Sequence, residues 1–189
     1  MNLFILDRDP QLAAQYQCDK HVVKMIVESA QMLSTAHRVL DGKLQVVTRN
    51  SITTGRSRKA KIWTLDNPTL ESHLYDACYV NHPCTRWTME SSSNYTWHYT
   101  HFDWLCAEYS HRYGKIHATD KLLKFLLMVQ PKNIYSGPMT QFRLAMGSNP
   151  ECIDPWDPIG SYRAFYQTKQ TRFKMVWTNR AVPSWFQYK

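Results

Sequence analysis

Residues 17–35 read QCDKHVVKMIVESAQMLST, and the period of the polar residues in this stretch decides the fold. At about 100° per residue, Gln17, His21, Lys24, Glu28, Gln31 and Thr35 fall within roughly 80° of one another on a helix, with Lys20 at the edge of that arc. Cys18, Val22, Val23, Met25, Ile26, Ala30, Met32 and Leu33 fill the rest. That apolar sector is wider than the ~100° stripe of an ordinary surface helix. The stretch therefore predicts a mostly buried helix with one narrow polar seam, continuing to about Leu40 and ended by Asp41-Gly42.

The seam carries an imidazole, an amine, a carboxylate and an amide. Either it faces solvent, with Lys24–Glu28 as an i,i+4 ion pair worth about 0.3 kcal/mol, or it lines a cleft. A solvated face has little use for His21 one turn before Lys24. A Lys and a Glu in a partly dry cleft shift each other's proton affinity and supply an amine nucleophile or a general acid/base. His21, Lys24, Glu28 and the adjacent Lys20 are thus the candidate catalytic residues, with Gln31 as a substrate contact.

A length of 189 residues favours one domain with its own core, and 43% hydrophobic content excludes a disordered chain. Only six glycines occur, and neither G-x-G-x-x-G nor G-x-x-x-x-G-K-[ST] is present, which argues against a phosphate-cradling loop. No G-x-S-x-G occurs, which argues against a Ser-His-Asp hydrolase. A net charge of +8 with 13% aromatic residues suits a nucleic-acid partner, DNA first, since cations neutralise phosphates and rings stack on bases. The five cysteines (18, 78, 84, 106 and 152) are odd in number, form no C-x-x-C and follow no secretory leader, so free thiols in a reducing cytoplasm are expected. Cys78, His82 and Cys84 match no standard zinc spacing; no metal and no cofactor are expected. No apolar run approaches the ~18 residues of a membrane span.

Outward from the seam, Asn2–Leu6 reads as a strand or a buried extended arm. Asp9-Pro10 opens a helix that either joins the Gln17 helix or breaks before it. Arg49, Arg56, Arg58, Lys59 and Lys61 put five cations in 13 residues with no acid among them, and Gly55 with the surrounding Ser and Thr makes this a basic loop ordered by phosphates. Asn67-Pro68 starts a short helix. Residues 88–112 read as one long ring-rich helix in which most rings are core, while Trp87 and Tyr95 are candidates to stack on a base, Trp87 beside Arg86 at a helix start. Residues 121–129 read as a core helix. Residues 131–158 read as an irregular connection from which Arg143 reaches the cleft, and 161–177 as a basic aromatic helix carrying Arg163 and Lys169. The expected fold is mainly α: one compact helical domain, residues 1–189, with a short N-terminal strand or arm and long irregular connections.

The runs CDKHVVKMIVESAQML, NHPCTRW, NYTW, EYSHRYGK, SYRAFY and VPSWF resemble a family of small tailed-phage proteins over nearly the whole chain, which implies a phage origin and little chemistry. The layout of an apolar N-terminal strand, a helix with basic residues and Glu, then an Asn-His-Pro turn and a further helix is similar to the pyrimidine-dimer DNA glycosylase family, the endonuclease V type. That resemblance implies a compact helical protein whose N-terminal amine attacks C1′ of the damaged nucleotide and whose Glu, early in the chain, is the key carboxylate. By position Glu28 takes the carboxylate role and His82 the turn histidine. The chain departs from the pattern at Asn2, a bulky second residue, so the amine is that of Met1, or the side chain of Lys24 or Lys20. The expected function is a DNA N-glycosylase, with possible lyase activity, on a flipped or damaged base. The alternatives are a base- or nucleotide-modifying enzyme, and a non-enzymatic nucleic-acid- or nucleotide-binding protein that blocks host defence.

Overall fold

In the computed structural model, residues 1–50, 53 and 55–188 are described, Arg49 by its backbone alone. The helices are α1 Pro10–Gln15, α2 Asp19–Asp41, α3 Pro68–His73, α4 Pro83–Glu90, α5 Ser92–Tyr113, α6 Ala118–Met128 and α7 Pro158–Gln167, with 3-10 turns at Pro150–Cys152 and Thr168–Thr171. The protein is mainly α, as its sequence predicts, and α2 is the central element, packed against α4, α5 and α6. Most of its apolar sector is enclosed: Val22, Met25, Ile26, Ala30, Met32 and Leu33 are buried, whereas Val23, expected in the same sector, is exposed.

Leu3–Leu6 are buried, and among the described residues none pairs with them as a strand, so the N-terminal segment is an arm and not a strand. Its backbone groups pair instead with side chains, the Asn2 N–H with Glu28 and the Leu6 carbonyl with Arg163 Nε at 2.8 Å. Asp9 caps α1 and Pro10 occupies its first turn. The chain breaks at 16–18 before α2, and the Tyr16 carbonyl freed there accepts from Trp177 Nε1 at 2.9 Å. Asp19, in the first turn of α2, accepts from Arg112 Nη1 at 2.8 Å, the Thr178 N–H at 3.0 Å and the Thr178 hydroxyl at 2.6 Å. The C-terminal segment thus fixes the start of the seam helix. At its other end, buried Arg38 donates to the carbonyls of Trp63, Glu71, Leu74 and Tyr75 and to the Glu71 carboxylate.

Four expectations change. The basic loop is an antiparallel hairpin, β1 Lys43–Asn50 and β2 Ser57–Thr64, in register from Lys43 opposite Thr64 to Asn50 opposite Ser57. Val46, Val47, Thr48, Ile62 and Trp63 supply the β-favouring side chains that outweigh the cations. The ring-rich helix over 88–112 is two helices. Ser91 is extended, and its hydroxyl accepts from the Asn94 N–H, a new N-cap in the middle of the predicted run. Finally, α6 is half core. Leu123 and Leu127 face inward, whereas Leu122, Phe125 and Met128 are exposed. The 161–177 helix also ends early, at Gln167. No helix among the described residues is long and apolar enough to cross a membrane.

Candidate active site

The arm, the seam of α2 and the turn after α7 enclose a cavity of about 600 Å³. Met1, Asn2, Phe4, Lys20, His21, Lys24 and Glu28 form one side; Phe165, Lys169, Arg172 and Phe173 form the other, with Ala145 at an edge. His21, Lys24 and Glu28, at i, i+3 and i+7 of α2, face this space because the opposite arc of the helix is claimed by the core.

Glu28 is the hub. Its Oε2 accepts the Asn2 backbone N–H at 2.8 Å, and its Oε1 lies 2.9 Å from Lys24 Nζ and 3.7 Å from the Met1 amine. The carboxylate is largely enclosed while the Lys24 ammonium is mostly in solvent. The lining residues thus bring the Met1 amine, Lys20, Lys24, Lys169 and Arg172 together against one carboxylate, Glu28, an excess of positive charge that favours an anionic ligand.

His21 is not an acid here. Burial, then Lys24 and Lys169, lower its pKa to about 3, so it is neutral at physiological pH. The Tyr166 hydroxyl accepts the Cys18 N–H at 2.8 Å and stands 2.7 Å from His21 Nδ1. Burial raises the Tyr166 pKa well above its ordinary value, so the phenol keeps its proton and donates it to Nδ1, an assignment that places the ring proton on Nε2. Phe4 and Phe173 pack on the imidazole with centroids 4.7 and 5.4 Å away. The result is an aromatic wall with a neutral polar edge.

Lys169 is 7% exposed, and its Nζ sits 3.3 Å from the centroid of the Phe165 ring. Among the described residues no carboxylate pairs with it. Burial, then Arg172, lower its pKa to about 8. Lys20 Nζ lies over the Phe173 ring at 4.8 Å.

The remaining predicted residues scatter. His82 does not line the cavity; it caps α4, and burial followed by the Met1 amine lowers its pKa. Gln31 is half-buried outside the cavity lining. Trp87 and Tyr95 cannot stack on a base as placed, because both are sealed in the core: the Trp87 ring packs on Trp97 and Phe142, and the Tyr95 hydroxyl bonds His37 and the Leu127 carbonyl. Arg86 lines a separate hollow with Met89 and Glu90, and Arg143 is ion-paired with Glu90 and does not reach the cleft. Arg163 joins the arm to α7 through Leu6 and Asp7 (3.0 Å). Arg56, Arg58, Lys59 and Lys61 are exposed on the hairpin, and the side chain of Arg49 lies outside the described residues. Sequence reasoning missed Phe165, Phe173 and Phe4 as lining groups. Their signal was the basic aromatic character of 161–177, without the turn that aims it. Among the described residues no three His, Cys, Asp or Glu side chains converge as a metal site requires.

A model of the family described as pyrimidine dimer DNA glycosylase matches residues 1–122, well over half of the chain. The chain belongs to the pyrimidine dimer DNA glycosylase family. No curated protein and no solved structure matches it. The family segment contains the amine, Lys20, His21, Lys24 and Glu28, whereas Ala145, Phe165, Lys169, Arg172 and Phe173 come from beyond it. Membership of a DNA glycosylase family implies DNA as the binding partner. One wall of the cleft therefore comes from the segment the family model matches and the facing wall from residues beyond it.

Proposed function

We propose that this cleft excises a damaged pyrimidine from DNA, with an amine as nucleophile and Glu28 as its carboxylate partner. The observation that carries the reading is the Met1 amine 3.7 Å from Glu28 Oε1, inside a cation-rich cavity of about 600 Å³ on the family segment. As a class, α-amines are far less basic than lysine side chains, so more of the reactive free base is present near neutral pH. Removal of Met1 would leave the Asn2 nitrogen as the amine, already 2.8 Å from Glu28 Oε2. Lys24 Nζ, 2.9 Å from Oε1, and Lys20 on the same lining are the other amines of the site.

The amine lone pair forms a bond to C1′ as the N-glycosidic bond breaks. The bonding pair leaves with the base, which takes up a proton, and the attacking nitrogen gives its proton to Glu28. The nitrogen lone pair then expels O4′, which takes the proton from Glu28, to give a protonated imine; loss of a C2′ proton with departure of the 3′ phosphate gives lyase activity. Glu28 also balances the positive charge that builds on the sugar. Lys20, Lys24, Lys169 and Arg172 hold the flanking phosphates, the hairpin cations and Arg163 add to that field, and His21 with Phe4 and Phe173 borders the extruded nucleotide. Such a cavity has room for a nucleotide out of the helix and none for a duplex.

The test is incubation with UV-irradiated and undamaged duplexes of the same sequence. Free base or strand scission from the irradiated duplex alone supports the reading. Equal inertness toward irradiated, uracil-containing and abasic duplexes refutes it.

A further inference from the structure

A second cavity, of about 360 Å³, is lined by Arg8, Gln141, Phe142, Trp156 and Ile159 among others. Trp156 is 93% exposed, more than any other large apolar side chain among the described residues. An indole left in water forgoes the burial that usually fixes its place. Yet the backbone beneath it is firmly held. The Trp156 N–H donates to Asp154 Oδ1 at 2.9 Å, and the Asp154 N–H to Ser161 Oγ at 2.7 Å. Gln141 Nε2 donates to the Pro155 carbonyl at 2.6 Å, and Asp157 caps α7. Pro155 and Pro158 flank the loop. This is a rigid pedestal that presents a bare aromatic face at the mouth of a cavity. Arg8, exposed and on the lining of the same cavity, has no carboxylate partner among the described residues.

Two elements connect this cavity to the cleft. Helix α7 runs from Ile159, in the second cavity, to Phe165, in the first, about 9 Å along the axis at ~1.5 Å per residue. The arm runs from Phe4 to Arg8, at most about 13 Å at ~3.3 Å per residue, since the chain bends at residues 7–9. At ~3.4 Å per step of a DNA strand, the gap is about three to four nucleotides. A flat aromatic and a free guanidinium on one cavity form the pairing that stacks a base and holds its phosphate.

We propose that Trp156 and Arg8 form a second nucleotide site, where a base of the same DNA strand, a few nucleotides from the reacting one, stacks on the indole while Arg8 takes a phosphate. The site rests on the reading that the cleft receives a nucleotide of DNA, and it extends the footprint along α7.

The test uses the full chain and lesion-free oligonucleotides, single-stranded and duplex, in fluorescence anisotropy. Trp156→Ala weakens binding by about tenfold, within the range of lost base–aromatic stacking, and Trp156→Phe by no more than about threefold. Acrylamide quenching of the native indole emission falls when DNA is added, and the change is absent in Trp156→Ala. Binding by Trp156→Ala within twofold of the native protein overturns the proposal, as do equal losses in the Ala and Phe variants. Because the side chain makes no core contact that folding needs, far-ultraviolet dichroism of the variants stays native. Lesion-free DNA lacks the damaged base on which the proposed reaction acts, so failure of the glycosylase reading leaves this readout untouched. Native excision activity together with unaltered Trp156→Ala binding overturns the second site alone.

Discussion

The carboxylate of Glu28 accepts the backbone N–H of Asn2 at 2.8 Å, across 26 positions of chain. This bond ties the arm to the seam of α2 and holds the Met1 amine 3.7 Å from the same carboxylate. The geometry needs both the burial of Leu3–Leu6 and a narrow polar arc of α2 turned toward the cavity.

Glu28→Gln separates chemistry from architecture. The amide keeps an oxygen for the Asn2 N–H but cannot take a proton or balance a cationic sugar. Turnover on irradiated duplex falls by about 10²–10⁴-fold, the range for loss of a general acid/base, while DNA affinity stays within about threefold. Single-turnover kinetics with a binding isotherm check both, and full activity in this variant removes Glu28 from the mechanism.

The cations divide by position. Lys59 and Lys61 are two residues apart on β2 and share one face of the ribbon, with Arg58 on the other. If one face meets the duplex, Lys59→Gln with Lys61→Gln lowers the slope of log K against log salt by about 1.8, near 0.9 per phosphate contact, and Arg58→Gln leaves it unchanged. Arg172→Gln in the cleft wall lowers it by about 0.9. Identical salt slopes for all variants exclude these phosphate contacts.

Acid weakens the fold through its buried histidines. Burial lowers the pKa of His21 and His101 to about 3 and that of His37 to about 4, against an unfolded value near 6.5. Below pH 6.5 the unfolded chain binds protons that the folded chain refuses. Their contribution is therefore complete above about pH 7 and is lost as pH falls toward 4, with a slope of about 1.4 kcal/mol per pH unit for each histidine. His101→Gln removes one proton's worth of that slope, whatever it does to stability at pH 7.5. Urea unfolding across pH 4–8 checks this, and an unchanged slope contradicts it.

Arg38 anchors the far end of α2 with five hydrogen bonds at 2.7–3.0 Å, four of them to backbone carbonyls. Arg38→Met leaves those carbonyls short of donors and costs about 3 kcal/mol. Arg38→Lys recovers little, since one ammonium cannot span the guanidinium fork. The urea midpoint at constant m-value measures both.

The sequence made α2 legible because period and burial agree there: the polar arc of His21, Lys24 and Glu28 is the arc left out of the core. The first helix and its Asp9-Pro10 start were legible for the same local reason. What could not be read is what depends on distant partners. Trp87 and Tyr95 look like stacking rings in one dimension, and only the packing of Phe142 and His37 shows that they are enclosed. Lys169 reads as one more surface cation until the turn after α7 lays it on Phe165. The hairpin was hidden because five cations and Gly55 masked the β-favouring Val46, Val47, Ile62 and Trp63, whose pairing is cross-strand.

The most direct measurement is borohydride trapping on irradiated and abasic duplexes, followed by peptide mapping of the adduct. The account predicts a covalent protein–DNA adduct on the first residue of the chain, abolished when that amine is blocked. Release of free base without any trapped adduct would contradict it, since water and not an amine would then be the nucleophile.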